Sequence, residues 1–557
     1  MQKFILLVVA IFCSMLFAED GNRKSNDIKR VTSQNEVVFA VKSTAGIRAN
    51  DVAGLNAVLP KSLRPYDAES TKVLFTYREK DGSMVSVVEH RIASRSSVEA
   101  AISALGRSSA VKWASPNYSY EGDPREDIST ENDPQTGEQY HHPVMKNPEA
   151  WQISQGKSSV VVAVTDDGVD IDHVDLKNRM WKNTKEIPGN NIDDDNNGYV
   201  DDYDGWDFSS DDNDPRPSGG SHGTHVAGII VAERNNKTGI SGTAPGANVM
   251  PIRFYGSGAW TSSVVAKSYA YAVDNGAQII TTSFNINGFV GDPVYEASLK
   301  YVYQNGVLLF NSGGNGYASN PKRQAFHEIL LVASTIADQE KDDQKSAYSN
   351  WGIGMDVSAP GGGGKAGILS TLPGNSYGRK SGTSMASPNA AAVAAMIWSV
   401  NPQWTREQVV AHLFRTCDNV DEVNNKYKGL LGAGRVNTLK AVQKQTLAPR
   451  IRGLRELSNK TIPILKNVTK LTVAIVDLLD REAAEDVNNW KLENRDNGQQ
   501  VQLNLDADYL IGSNEVVFSF DKLPAGNYRF TGIAEKLQDP FGTSLEEDFV
   551  VEFSVNE

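Results

Sequence analysis

The chain has 557 residues, 40% of them hydrophobic and 22% charged, with a formal net charge of -13. Single hydrophobic cores stop growing near roughly 250–300 residues, so this length predicts about three units, and the composition is that of soluble globular protein without a long disordered tract. The negative balance argues against nucleic acid as a partner, because phosphate backbones are held by clustered Lys and Arg.

Met1-Gln2-Lys3, the apolar run 4–17 and the small Ala18 have the layout of a secretory signal peptide, with cleavage expected after Ala18. A membrane anchor needs about 20 apolar residues, and acidic Glu19-Asp20 ends this run sooner, so no anchor is expected after signal removal. The same cut removes Cys13 and leaves Cys417 without an intramolecular partner. On the predicted helix around 413–417, that cysteine reads as a buried small group before it reads as a nucleophile.

Behind the signal, residues 36–42 and 72–77 read as strands and 97–105 as a short helix, which predicts a small α+β unit. It closes on Val111-Lys112-Trp113-Ala114-Ser115-Pro116-Asn117-Tyr118. The polar stretch 121–134 that follows has no hydrophobic period and reads as an exposed linker and cleavage zone. Between 150 and 442, apolar runs such as Val160-Val161-Val162-Ala163-Val164 and Val307-Leu308-Leu309-Phe310 alternate with helical segments. That pattern predicts an α/β domain, a doubly wound, mostly parallel sheet with helices on both faces. Beyond 446, short alternating segments at 471–475, 516–520 and 548–553 separated by Gly, Pro and Asn turns predict a β-sandwich. The expected division is signal 1–18, N-terminal unit with linker 19–130, central domain 131–445 and sandwich 446–557.

Three segments of the central domain carry chemistry. Asp166 ends a buried strand just before the Gly168 turn, at the edge where a doubly wound sheet presents its site, although an Asp near a Gly usually marks an ordinary turn. His222 opens a Gly-rich helix start in Ser221-His222-Gly223-Thr224-His225; a His222/His225 metal pair is the competing reading, but the Glu of the usual zinc helix is missing. Ser384, in Gly382-Thr383-Ser384-Met385-Ala386-Ser387-Pro388, precedes a helix expected over 389–400, where an isolated serine would usually be a cap.

Taken together, these segments in the chain order Asp, His, Ser resemble the subtilisin-like serine protease (subtilase) family. The likeness covers about residues 139–441 and extends to 236–245, to Asp356-Val357-Ser358-Ala359-Pro360-Gly361 and to Gly432-Ala433-Gly434-Arg435-Val436-Asn437. The resemblance implies that Ser384 is the nucleophile, His222 its general base and Asp166 the group that orients the imidazole. Asp166 is preferred to Asp167 because the family motif puts the catalytic Asp two residues before Gly168. It further implies that Asn315, in Asn311-Ser312-Gly313-Gly314-Asn315-Gly316, stabilises the oxyanion beside the Ser384 N–H, and that Ser283-Phe284-Asn285 and Ser312-Gly313-Gly314 line the substrate pocket. Asn285 stands where relatives commonly have Gly, which predicts a preference for small or polar residues before the cut. Asp167 and Asn389 are the other departures from the family pattern. The N-terminal unit resembles the family's inhibitory propeptides, and the C-terminal unit looks like a bacterial immunoglobulin-like module.

Asp193, Asp195, Asn197, Asp201 and Asp204 occupy positions 1, 3, 5, 9 and 12 of a loop with Gly198 at 6 and the Tyr199 carbonyl at 7, the spacing of a calcium loop. Asp204 replaces the bidentate Glu of an EF-hand and no paired helices flank the loop, so affinity in the ~0.1–1 mM range or an unoccupied acidic turn are both open. Family members carry a similar acidic insertion closing on Gly-Trp-Asp-Phe, here Gly205-Trp206-Asp207-Phe208, which implies structural Ca2+. The resemblance thus points to a secreted bacterial endopeptidase acting on proteins or peptides, inhibited by its own propeptide until it removes it. An inactive protease fold acting through its C-terminal module is the other class of function. An esterase is disfavoured because Ser384 lacks a Gly-x-Ser-x-Gly elbow.

Overall fold

Val37, Phe39 and Val41 fall on one side of the strand β1 (Lys29–Ser43), as the two-residue period of a strand requires. They pack with Val88 and Ile92 against Val98, Ala101 and Leu105 of α1 (Val98–Leu105), a helix capped by the Ser97 side chain. With β2 (Thr71–Arg78), β3 (Met84–Arg91) and β4 (Val111–Glu121) they form an antiparallel sheet in the order β2-β3-β1-β4. The computed structural model describes residues 29–43, 71–78, 84–92, 97–121, 132–256, 261–336, 342–363, 366–444, 447–458, 460 and 462–556. The expected signal peptide at 1–18 and the linker residues 122–131 lie outside the described residues. The chain divides into two units, Met1–Ile128 and Ser129–Glu557.

In the second unit the long apolar runs become β5 (Val161–Asp166), β6 (Trp206–Asp207), β7 (Asn248–Arg253), β8 (Ile279–Thr282), β9 (Leu308–Ser312), β10 (Leu330–Ile336), β11 (Gln344–Lys345) and β12 (Val357–Pro360). Their order is β11-β10-β9-β8-β5-β7-β6, with β12 beside β10; every pairing is parallel except β10 with β11. Both faces are covered, which is why the strands read as unbroken apolar runs. Val162, Val164, Val249, Ile279 and Leu308 share a core with α2 (His222–Val231). Val161, Ala163, Met250, Ile280 and Leu309 share another with α3 (Ser262–Asp274) and α4 (Pro293–Gln304). From β5 the chain passes to β7 on one side and then crosses to β8 on the other, so the carboxyl end of β5 opens the crevice where such sheets bind ligands. Asp166 is its last residue.

After the hairpin β13 (Ile368–Leu372) and β14 (Ser376–Lys380) comes the buried helix α5 (Thr383–Val400). It starts six residues before the sequence expectation, with Pro388 inside it. Proline has no N–H to give the carbonyl four residues back, which is that of Ser384; that carbonyl accepts from Ser283 Oγ instead, at 3.2 Å. Next follows α6 (Arg406–Arg415), after which Cys417 is buried with its thiol on the Leu413 carbonyl, and burial pushes the thiol pKa up. It is an inert packing group.

The C-terminal residues form two further sheets. One has the order β15 (Ile451–Leu454), β17 (Lys470–Ile475), β21 (Glu515–Ser519), β20 (Asn504–Leu505). The other runs β16 (Ile464–Lys466), β23 (Phe549–Asn556), β22 (Gly526–Gly532), β18 (Trp490–Asn494), β19 (Gln500–Val501). Leu471, Val473, Trp490, Phe518 and Phe530 fill the space between them. This sandwich is joined to the α/β core: Asn514 donates to Asp356 at 2.8 Å, Gly512 N to the His327 carbonyl at 2.9 Å, and Arg415 pairs with Asp539 with both side chains buried. Among the described residues no helix is long and apolar enough to cross a membrane.

Candidate active site

Asp166 is 2% exposed at the end of β5. Its two oxygens lie 2.9 Å from Nδ1 of His222, and its Oδ1 also accepts from the Asp167 N–H at 2.8 Å and the Tyr255 hydroxyl at 2.9 Å. Burial opposes ionisation of Asp166, but His222 and these donors outweigh it and hold the pKa below the usual carboxylate value. For His222 the balance runs the other way. Burial disfavours the imidazolium, yet the charges of Asp166 and Asp167 overcome it and raise the pKa above that of a free histidine.

His222 sits at the first turn of α2, where helical N–H groups lack partners. Asp167 supplies the acceptors: Oδ2 takes Ser221 N and His222 N, both at 3.0 Å, and Oδ1 takes Gly223 N at 2.7 Å. A residue that the sequence marked only as a departure thus caps the helix that carries the histidine. Its own pKa is raised, first by burial and then by the Asp166 charge. His225, the alternative metal partner, is buried and turned away, with Nε2 against the carbonyls of Ile368 and Gly378; burial above all lowers its pKa to about 3. The two histidines do not share a site.

Ser384 is the second residue of α5. Its Oγ donates to the Ser283 carbonyl at 3.3 Å, and among the described residues no hydrogen bond links it to His222. Asn315 has its side-chain oxygen fixed by Thr383, from N at 2.9 Å and from Oγ1 at 2.8 Å, which leaves Nδ2 as the free donor. A methyl group placed on Gly382 would lie 3.3 Å from Asn315 Nδ2 and 3.6 Å from Ser384 N. Asn315 Nδ2 and Ser384 N thus both lie beside Gly382.

Ser283, Phe284, Asn285, Ser312 and Gly314 line a cavity of about 330 Å³ together with Asn315 and Ser384. Gly313 does not: its N–H goes to the Val332 carbonyl and its carbonyl takes Asn350 Nδ2, each at 2.9 Å. The cavity also holds Asn287, Asn350 and Arg323, which the sequence did not mark. Asn389, the remaining departure, is buried and bonded to the Pro360 carbonyl and to Thr243.

The acidic loop brings together part of the expected ligand set. Oxygens of Asp193, Asp195 and Glu186 lie within 4.8 Å of one another, an all-carboxylate group that suits a hard cation. All of these carboxylates also bond within the loop: Asp201 accepts from the N–H groups of Gly189, Asn190 and Asn191 and Asp204 pairs with Lys182, while Asp193 and Asp195 accept from Asn197 N and Glu186 from the N–H groups of Asp194, Asp195 and Asp201. The Asn197 side chain bonds to Asp202 and to the Tyr199 N–H, and the Tyr199 ring stacks edge-on with Trp206. Glu186 lies outside the 12-residue spacing, so the motif could not reveal it.

The profile of the subtilase family matches residues 157–434. Thermitase from Thermoactinomyces vulgaris is 34% identical over 318 residues, 56% of this chain and 99% of thermitase. A thermophilic serine proteinase from Bacillus sp. (strain AK1) is 31% identical over 347 residues, covering 62% of this chain and 76% of that protein. Subtilisin Savinase from Lederbergia lenta is 34% identical over 227 residues, 39% of this chain and 76% of its own length.

Proposed function

The chain belongs to the subtilase family and is a subtilisin-like serine endopeptidase, and from that premise we propose that Asp166, His222 and Ser384 form its catalytic triad, with Asn315 as oxyanion donor. The observation that carries this reading is the pair of 2.9 Å contacts from Asp166 to Nδ1 of His222. They leave Nε2 as the basic nitrogen and favour the imidazolium that forms in the reaction. Ser384 Oγ turns from the Ser283 carbonyl toward His222 Nε2 as substrate docks, since such bonds are often long or misaligned without substrate. Oγ then attacks the peptide carbonyl carbon and its proton passes to Nε2. The carbonyl oxygen becomes the oxyanion held by Asn315 Nδ2 and Ser384 N. Nε2 returns the proton to the departing amine, and water releases the acyl group by the same steps.

In this reading residues 1–18 direct secretion, and the α+β unit is a propeptide that the enzyme removes itself. Calcium is held by Asp193 and Asp195 with Glu186, its charge offsetting the repulsion among them and fixing the loop. Asn197, the Tyr199 carbonyl, Asp201 and Asp204 remain the alternative ligands that the 12-residue spacing offers. Self-processing is tested with Ser384→Ala: the purified variant is expected to retain its N-terminal unit. Mass spectrometry finding normal processing in that variant would reject it.

A further inference from the structure

Arg323 is 3% exposed and lies on the wall of the cavity that also holds Ser384 and Asn315. Four of its five N–H groups are used: Nε goes to Asn287 Oδ1 at 3.1 Å, and Nη1 to the Ser312 carbonyl at 2.6 Å and Asn311 Oδ1 at 3.4 Å. Nη2 goes to Asn285 Oδ1 at 2.5 Å. Every acceptor is a neutral oxygen. Among the described residues no carboxylate pairs with this guanidinium, and the cavity has no acidic residue in its lining. A buried charge normally has a counterion, because an unpaired one costs several kcal/mol. Burial lowers the Arg323 pKa to about 10, so the group stays charged at neutral pH.

The surrounding residues are built around this cation. Gly314 has a φ of +100°, and a side chain there would come within 2.4 Å of Asn350 Nδ2 and 3.2 Å of Arg323 Cζ, so glycine lets the guanidinium reach the cavity wall. Asn285 Oδ1 accepts from both Arg323 Nη2 and the Asn287 N–H, which fixes the amide with Nδ2 pointing away from the arginine and without a partner among the described residues. One Nη2 hydrogen thus remains as a donor on an uncompensated positive charge.

We propose that this cavity takes an acidic side chain, so that the enzyme cuts after glutamate or aspartate, the substrate carboxylate serving as the missing counterion of Arg323. This rests on Ser384 being the nucleophile, and it narrows the polar preference that Asn285 implies. A charge-assisted bond gives about 10- to 100-fold discrimination between a carboxylate and its amide.

The test measures kcat/KM of the mature enzyme on matched peptides with Glu, Asp, Gln, Leu or Lys before the cut. The better of Glu and Asp is expected to exceed Gln by about 10- to 100-fold, with Lys poorest. Arg323→Met is expected to bring the Glu/Gln ratio close to one. Because Arg323 also ties loops together, Asn285→Asp provides a second probe: it places a carboxylate on the guanidinium and is expected to bring the ratio to one or below. Equal rates for Glu and Gln, a preference for Leu, or a ratio that survives in Asn285→Asp would overturn the proposal while leaving the protease intact. Failure to cleave any peptide, with no fluorophosphonate adduct on Ser384, would overturn both readings.

Discussion

Asp167 offers a way to separate the electrostatics of His222 from its mechanical support. Both Asp167→Asn and Asp167→Ala remove a negative charge whose carboxylate accepts from the His222 N–H at 3.0 Å. Charges ~6 Å apart interact by about 0.7 kcal/mol at the dielectric of water and about 2.8 kcal/mol at an effective dielectric of ~20, equivalent to about half to two pH units. The Asp167 charge raises the His222 pKa, so removing it lowers that pKa. The acidic limb of kcat/KM, on which activity appears as His222 loses its proton, is therefore expected to move to lower pH by about half to two units in both variants. Stability separates them. Alanine leaves the buried Gly223 N–H without an acceptor, at a cost of about 1–3 kcal/mol. With an unfolding entropy of ~2.1 cal/mol/K per residue over the whole second unit, that is about 1–3 °C in Tm. Asparagine keeps one acceptor oxygen, enough for the Gly223 N–H, but turns its NH2 toward the Ser221 and His222 N–H groups, so its Tm is expected to fall by less than that of the Ala variant. Differential scanning calorimetry and pH–rate profiles on peptide substrate read both effects. An acidic limb that stays put or moves up would refute the charge argument, and an Ala variant as stable as the Asn variant would refute the cap.

Asn315→Ala is expected to lower kcat by ~100–1,000-fold with little change in KM, as loss of the oxyanion donor does in subtilisin; an unchanged kcat rejects the role. Chelation is expected to lower the temperature of thermal inactivation and added calcium to restore it. Glu186→Gln should blunt that response and Asp204→Asn should leave it unchanged, because Asp204 is engaged with Lys182. The reverse pattern would favour the 12-residue spacing over the three-carboxylate cluster.

What the sequence revealed was what local patterns encode. Runs such as Val160 to Val164 announce strands covered on both faces, and β5, β7, β8 and β9 stand where those runs are. The segments around Asp166, His222, Ser384 and Asn315 were legible as short motifs, and the structure brings Asp166 and His222 into contact. The start of α5 was misjudged because a proline normally argues against a helix interior; the donor that compensates, Ser283, lies about a hundred residues earlier. Arg323 was invisible for the same reason, since its meaning depends on Asn285, Asn287 and Ser312 converging from two other segments. Likewise Tyr255 reaches Asp166, and Asp167 reaches the helix start, across long separations. In the acidic loop the spacing marked Asp193 and Asp195 but could not mark Glu186, which reaches them from outside the 12 residues.

The most direct test of the proposed triad is the site of reaction with a fluorophosphonate, which labels a serine only when a base activates it. Peptide mapping of the labelled mature enzyme is expected to find one adduct, on Ser384, forming faster as pH rises through the His222 pKa and lost in His222→Ala. An adduct on another residue, or undiminished peptide hydrolysis by Ser384→Ala, would contradict it.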